Sequence, residues 1–142
     1  MAELNDDPIA IPDQTRLYRR INPHWTVYDR NRGERRPTSQ NFQDSQDGTP
    51  MSVYAENIAI KHAESPQDFL RGRWSEWHLA SVTAGRMRQL RQRVYCDTAN
   101  QDGDDFHPSH AAVQGTKDGK MRSKLGAEYE WIVSPMNRYN PD

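Results

Sequence analysis

The chain holds a single cysteine, Cys96, so no internal disulfide can form. It lacks any run of about 18 apolar residues, so no transmembrane helix is expected. Its first fourteen residues, MAELNDDPIAIPDQ, lack the basic start and apolar centre of a secretory leader. These absences together lead to the expectation of a cytoplasmic protein. Apolar residues make up 34% of the chain, against about 45–50% in an average domain. The deficit sits in loops and tails, so a compact domain with long polar excursions is expected rather than a disordered chain. Neither a phosphate-cradling glycine loop nor a nucleophile elbow is present. There is also no internal repeat and no heptad pattern.

The net charge of −1 conceals a strong asymmetry. Residues 1–15 carry Glu3, Asp6, Asp7 and Asp13 without a basic partner. Residues 16–36 carry arginines 16, 19, 20, 30, 32, 35 and 36, and residues 71–93 carry arginines 71, 73, 86, 88, 91 and 93. A second acidic block, Asp97, Asp102, Asp104 and Asp105, follows. Arginine suits bidentate contact with carboxylate or phosphate. The blocks therefore either pair with the chain's own acids or present a surface to an acidic partner or nucleic acid.

The 142 residues favour one domain over 15–136, with tails at 1–14 and 137–142 and polar loops at 30–50 and 97–108. LYRRI (17–21), WTVYD (25–29), MSVYA (51–55), WHLASVT (77–83), RVYC (93–96), HAAVQG (110–115) and YEWIVS (129–134) read as short strands. SPQDFLRG has a helix start, with Ser65 as cap and Pro66 next, and AGRMRQL (84–90) and DGKMRSKLGAE (118–128) read as short helices. Six or seven short strands with two or three short helices predict an α+β fold with a mainly antiparallel sheet.

Several constellations could carry chemistry. His107 and His110 sit three apart, but Pro108 biases His107 to extended geometry, and residues three apart on a strand face opposite sides. His107 is therefore expected in a solvated loop end and His110 on a strand, with Ala112 and Gln114 on its face. Too few further ligands accompany them for a zinc site. In DTANQDGDD, placing Gly103 at position six of a calcium loop puts Thr98 first and Ser109 twelfth, so the required acids are missing. Cys96 is expected to pack rather than react. In ERRPTSQNF, Arg36 precedes a proline and the hydroxyls of Thr38 and Ser39, which is anion-binding chemistry, and Phe42 can anchor the loop in the core. The four tryptophans, 25, 74, 77 and 131, are expected at core or core edge, with base stacking by Trp74 as the sharper alternative.

The order LYRRI, RPTSQNF, MSVY, LASVTAG, HPSHAAVQG and WIVSP resembles a pattern in a group of small, uncharacterised prokaryotic proteins. It spans roughly residues 17–135; Thr38 stands where the pattern has serine, and the 97–108 loop is longer and more acidic. The resemblance implies a recurring small fold and no particular chemistry. Arg36, Ser39, Arg86, His110 and Lys117 are the polar residues inside the matched motifs, and some of them are expected to converge at one end of the sheet.

Three functional expectations follow. One is a non-enzymatic accessory module whose arginine-rich surface binds an acidic protein or nucleic acid. Another is a small enzyme on a nucleotide or phosphorylated ligand, by ADP-ribosyl transfer or phosphoester chemistry. In it His110 is the acid/base, Arg36 and Arg86 the anion clamp, Ser39 an orienting hydroxyl and Lys117 a further anion ligand. The third is a subunit of a toxin or defence system. No cofactor is expected in any of them.

Overall fold

A computed structural model describes residues 6–99 and 101–135. Six strands form one antiparallel sheet: β1 (Arg16–Ile21), β4 (Met51–Ala55), β5 (His78–Thr83), β6 (Arg93–Cys96), β7 (His110–Gln114) and β8 (Glu130–Val133), in the order β6-β7-β4-β1-β5-β8. A separate hairpin joins β2 (Thr26–Asp29) to β3 (Glu34–Pro37). Among the described residues there are three α-helices: α1 (Glu56–Lys61), α2 (Ala84–Gln89) and α3 (Gly119–Glu128). The protein is a single α+β domain with a mainly antiparallel sheet, as the sequence predicts. No helix among the described residues is long and apolar enough to cross a membrane.

The strand period of two explains the layers. Leu17 and Ile21 of β1, Met51, Val53 and Ala55 of β4, and Ala111 and Val113 of β7 bury one face against Met87 of α2 and Met121 and Leu125 of α3. Each large side chain so buried contributes about 1.5–3 kcal/mol. The opposite face carries Tyr18, Tyr54 and Leu79, covered by Ala59 of α1 and by Phe69 and Leu70 from the connection before β5. Tyr54 stacks on Phe69 at 4.4 Å between ring centroids. This second layer is aromatic and polar, and the cleft described below opens at its end.

Several segments depart from the sequence reading. The expected tail is held from Asp6 onward: its carboxylate accepts from the Val94 amide at 2.8 Å and Arg88 Nε at 2.7 Å, and Ile11 is fully buried. Residues 1–5 and 137–142 lie outside the described residues. The 30–50 excursion contains β3, whose charged residues hide the strand, and a 3-10 turn at Ser39–Asn41 that delivers Phe42 into the core. Gly33, at φ +69°, closes the hairpin by donating its amide to the Asp29 carbonyl at 2.8 Å. The Ser65–Pro66 start opens a 3-10 turn, Pro66–Phe69, rather than an α-helix. His107, expected in solvent, is buried beneath Phe69 and Tyr54.

Candidate functional site

Register places three rings side by side across the second face of the sheet. His110 pairs with Tyr54, and Tyr54 pairs with Tyr18. The His110 and Tyr54 rings meet edge to face at 5.6 Å. Beyond this row the two arginines of LYRRI leave β1 on opposite faces near its end. Around them lies a cleft of about 320 Å³, walled by Trp25, by Trp74 and Trp77 from the connection before β5, and by Asp102 and Asp105 from the long acidic loop.

Arg20 is fully engaged. Its Nη1 and Nη2 donate to the two oxygens of Asp105 at 2.7 and 2.8 Å, and its Nε donates to the Phe69 carbonyl at 2.6 Å. The guanidinium lies 4.3 Å from the Trp74 ring centre, and Trp74 Nε1 donates to the same Asp105 at 3.2 Å. His107 extends the network, with Nε2 3.0 Å from Asp105 and Nδ1 2.7 Å from Glu64. The ring thus bridges the two carboxylates. Burial would raise the Asp105 carboxyl, but the Arg20 bonds, helped by His107, hold it below the usual carboxylate range.

Arg19 is different. Its Nε donates to the Asn41 carbonyl and its Nη1 to the Ser52 carbonyl, both at 2.9 Å. Among the described residues Nη2 has no partner, and no carboxylate forms an ion pair with Arg19. Burial pulls its guanidinium down to about 10, so it remains a cation at neutral pH. The acid that acts on it, Asp44, is claimed by Lys117 Nζ at 2.7 Å and by the Met51 amide at 3.0 Å. A half-buried cation without a counter-charge is costly to keep.

Two further polar atoms open on the same space. The Tyr54 hydroxyl has no described partner, and burial pushes it up to about 12, so it stays a neutral donor. His110 Nδ1 bonds the Asp97 carbonyl. A carbonyl only accepts, so Nδ1 carries the proton and Nε2 presents its lone pair. Burial lowers the His110 imidazole, which keeps it neutral at pH 7.

Of Arg36, Ser39, Arg86, His110 and Lys117, His110 lines the cleft and the other four do not. Arg36 Nε faces Asp29 at 3.5 Å across the hairpin. Ser39 begins the 3-10 turn that carries Asn41. Arg86 grips Glu128 with bonds of 2.7 and 3.0 Å. Lys117, whose side chain is 3% exposed, is spent on Asp44 and the Val113 and Gly115 carbonyls. Cys96 is exposed at the end of β6, and partial desolvation, then Asp7, pushes its thiol up, away from the reactive thiolate. No group of three metal-ligating side chains occurs among the described residues.

The sequence reading missed Arg19, Trp25, Asn41 and Tyr54. Asn41 organises the site: its Oδ1 accepts from the Asn22 amide at 3.1 Å, its Nδ2 donates to the Trp25 carbonyl at 2.8 Å, and its own carbonyl holds Arg19. The available signal was the adjacent arginine pair inside a strand, one of which has to enter the apolar face. No family model, curated protein or solved structure matches the chain.

Proposed function

We propose that the protein is a binding module whose cleft takes a small anionic ligand at Arg19. The observation that carries this reading is the half-buried guanidinium with an unpartnered Nη2 and no counter-charge, beside the free hydroxyl of Tyr54. An anion there supplies the missing charge and accepts two donors. The acidic partner expected from the arginine blocks is thereby drawn into a pocket. Arg16, Arg20, Arg32, Arg36, Arg71, Arg86 and Arg88 already pair with the chain's own carboxylates, which leaves less free charge for a broad nucleic-acid surface. Titration calorimetry with ribose 5-phosphate tests the reading. Arg19→Gln lowers affinity about tenfold or more, as expected for one charge-assisted contact, while Arg91→Gln, an exposed arginine, leaves it unchanged. Equal binding by Arg19→Gln and the native protein overturns the proposal.

A second reading rests on His110. Its Nε2 lone pair makes it a general base for an enzyme acting on a phosphorylated ligand, by phosphoester chemistry or ADP-ribosyl transfer. His110→Gln would then abolish turnover with ligand binding retained; undiminished turnover removes this reading.

A further inference from the structure

We infer that the anion held at Arg19 carries a flat base, and that the cleft recognises a nucleoside monophosphate; this rests on the anion-binding reading above. Trp25 offers the stacking surface. Its backbone is fixed by four hydrogen bonds: its amide donates to the Asn22 carbonyl at 2.9 Å, and its carbonyl accepts from the Thr38 amide at 3.0 Å, the Thr38 hydroxyl at 3.2 Å and Asn41 Nδ2 at 2.8 Å. Its ring, by contrast, meets no other ring and no cation among the described residues, although it lines the cleft. Trp74 in the same cleft already lies within 4.3 and 4.4 Å of two guanidinium carbons, those of Arg20 and Arg73. Trp77 meets Trp74 edge to face. Trp25 is therefore the indole left for a ligand, held on a rigid support and half-buried. Because Asn41 binds the Trp25 carbonyl through its side chain and Arg19 Nε through its backbone, one residue fixes the spacing between the stacking surface and the cation.

The space between them favours a sugar over a hydrocarbon linker. The hydroxyls of Ser45, Ser52 and Tyr54 line it without described hydrogen-bond partners. A volume of about 320 Å³ lies at the lower end of the range for ligand clefts, about 300–1,000 Å³. That size accommodates one base, one ribose and one phosphate, not a dinucleotide. The phosphate meets Arg19 Nη2 and the Tyr54 hydroxyl, the ribose meets the serine hydroxyls, and the base stacks on Trp25.

The test is titration calorimetry of the whole chain with the four nucleoside 5′-monophosphates, ribose 5-phosphate, adenosine and phenyl phosphate. The expected result is that at least one nucleotide binds about five- to hundredfold more tightly than ribose 5-phosphate, the gain that stacking one base supplies. Trp25→Leu removes this gain and leaves ribose 5-phosphate affinity unchanged, whereas Arg91→Gln, at an exposed position outside the cleft, retains it. If nucleotides and ribose 5-phosphate bind alike, the base assignment is overturned and anion binding stands. Phenyl phosphate binding as tightly as the best nucleotide overturns the nucleoside assignment. If no phosphate compound binds, both proposals fall together. The comparison among ligands uses the native protein, so it decides the matter even where a variant folds poorly.

Discussion

Arg20 and Asp105 form a two-bonded pair, 2.7 and 2.8 Å, that ties the centre of the sheet to the long acidic loop. The side chains are 10% and 25% exposed, so the pair is shielded from solvent. It gives the loop a fixed position that its polar composition would not otherwise provide. It also stacks Arg20 against Trp74 and places Asp105 beneath His107. The outer wall of the cleft is thus held by charge rather than by apolar packing.

Asp105→Asn keeps the shape of this contact and removes its charge. Arg20 then loses its counter-ion in a half-buried setting, and His107 keeps Glu64 alone. We expect a loss of about 2–3 kcal/mol, below the range for fully buried pairs because Asp105 is partly exposed. Urea unfolding reads it directly. The folded-state Asp105 carboxyl lies below its ordinary value, so its contribution is present above that value and disappears as pH falls through the depressed one. The acid limb of the stability profile below about pH 4 is therefore shallower in Asp105→Asn than in the native protein. An unchanged limb shows that other carboxylates carry the acid sensitivity.

His110 and His78 act in the opposite part of the pH scale. Burial is the main cause that lowers both imidazoles below 6.5. The unfolded chain then binds more protons than the folded one as pH drops below about 6.5, so each histidine costs stability in that window. His110→Gln and His78→Gln each reduce the dependence of unfolding free energy on pH between 7 and 5. A slope equal to that of the native protein counts against the neutral, lone-pair form of His110 on which its proposed base role depends.

Gly115→Ala tests the junction after β7. Gly115 has φ +155°, and a Cβ there would lie 2.8 Å from the side-chain amide of Gln92. That amide is buried and donates to the Thr116 carbonyl at 2.9 Å, so it has little freedom to retreat. A destabilisation of about 1–3 kcal/mol is expected from strain and the displaced amide. Thermal unfolding indistinguishable from the native protein removes this account of the glycine.

Most strands were legible because their alternation is plain: MSVYA puts Met51, Val53 and Ala55 on one face, HLASVT puts Ala80 and Val82 on one, and LYRRI breaks the pattern only at Arg19, between Leu17 and Ile21. The β3 strand was hidden because ERRP carries charge where a buried strand carries apolar residues; its partners across the hairpin stabilise it instead. The six-residue helix ENIAIK has no side-chain cap and less than two turns, too little for its period to stand out. His107 shows the limit most clearly. Pro108 correctly marks extended backbone, but the burial of the ring comes from Glu64 and Phe69, 43 residues away in one case. Arg19 looks like twelve other arginines in the two blocks. What sets it apart is partial burial without a carboxylate among the described residues, whereas Arg30, Arg73 and Arg91, which also lack an ion pair, are exposed; that emerges only when every other partner has been assigned in three dimensions.

Asn41 offers the sharpest separation between fold and site. It is 2% exposed, and its side chain accepts from the Asn22 amide and donates to the Trp25 and Thr38 carbonyls at 3.1, 2.8 and 3.1 Å. Asn41→Ala leaves the Asn22 amide without its partner and takes one donor from each of the two carbonyls, which keep the Thr38 and Asn41 amides, at a cost of about 1–3 kcal/mol. Asn41→Asp retains the acceptor for Asn22 but loses both donors and sets a negative charge close to Arg19. That charge competes with the ligand for the guanidinium. Arg19→Gln, in contrast, removes the cation and leaves the Asn41 side-chain bonds in place. The expected pattern in parallel unfolding and ribose 5-phosphate titrations is threefold. Asn41→Ala loses both stability and affinity, Asn41→Asp loses affinity out of proportion to stability, and Arg19→Gln loses affinity with the smallest change in stability. If affinity simply follows stability through all three variants, Arg19 is an ordinary structural arginine and the cleft has no special claim on an anion.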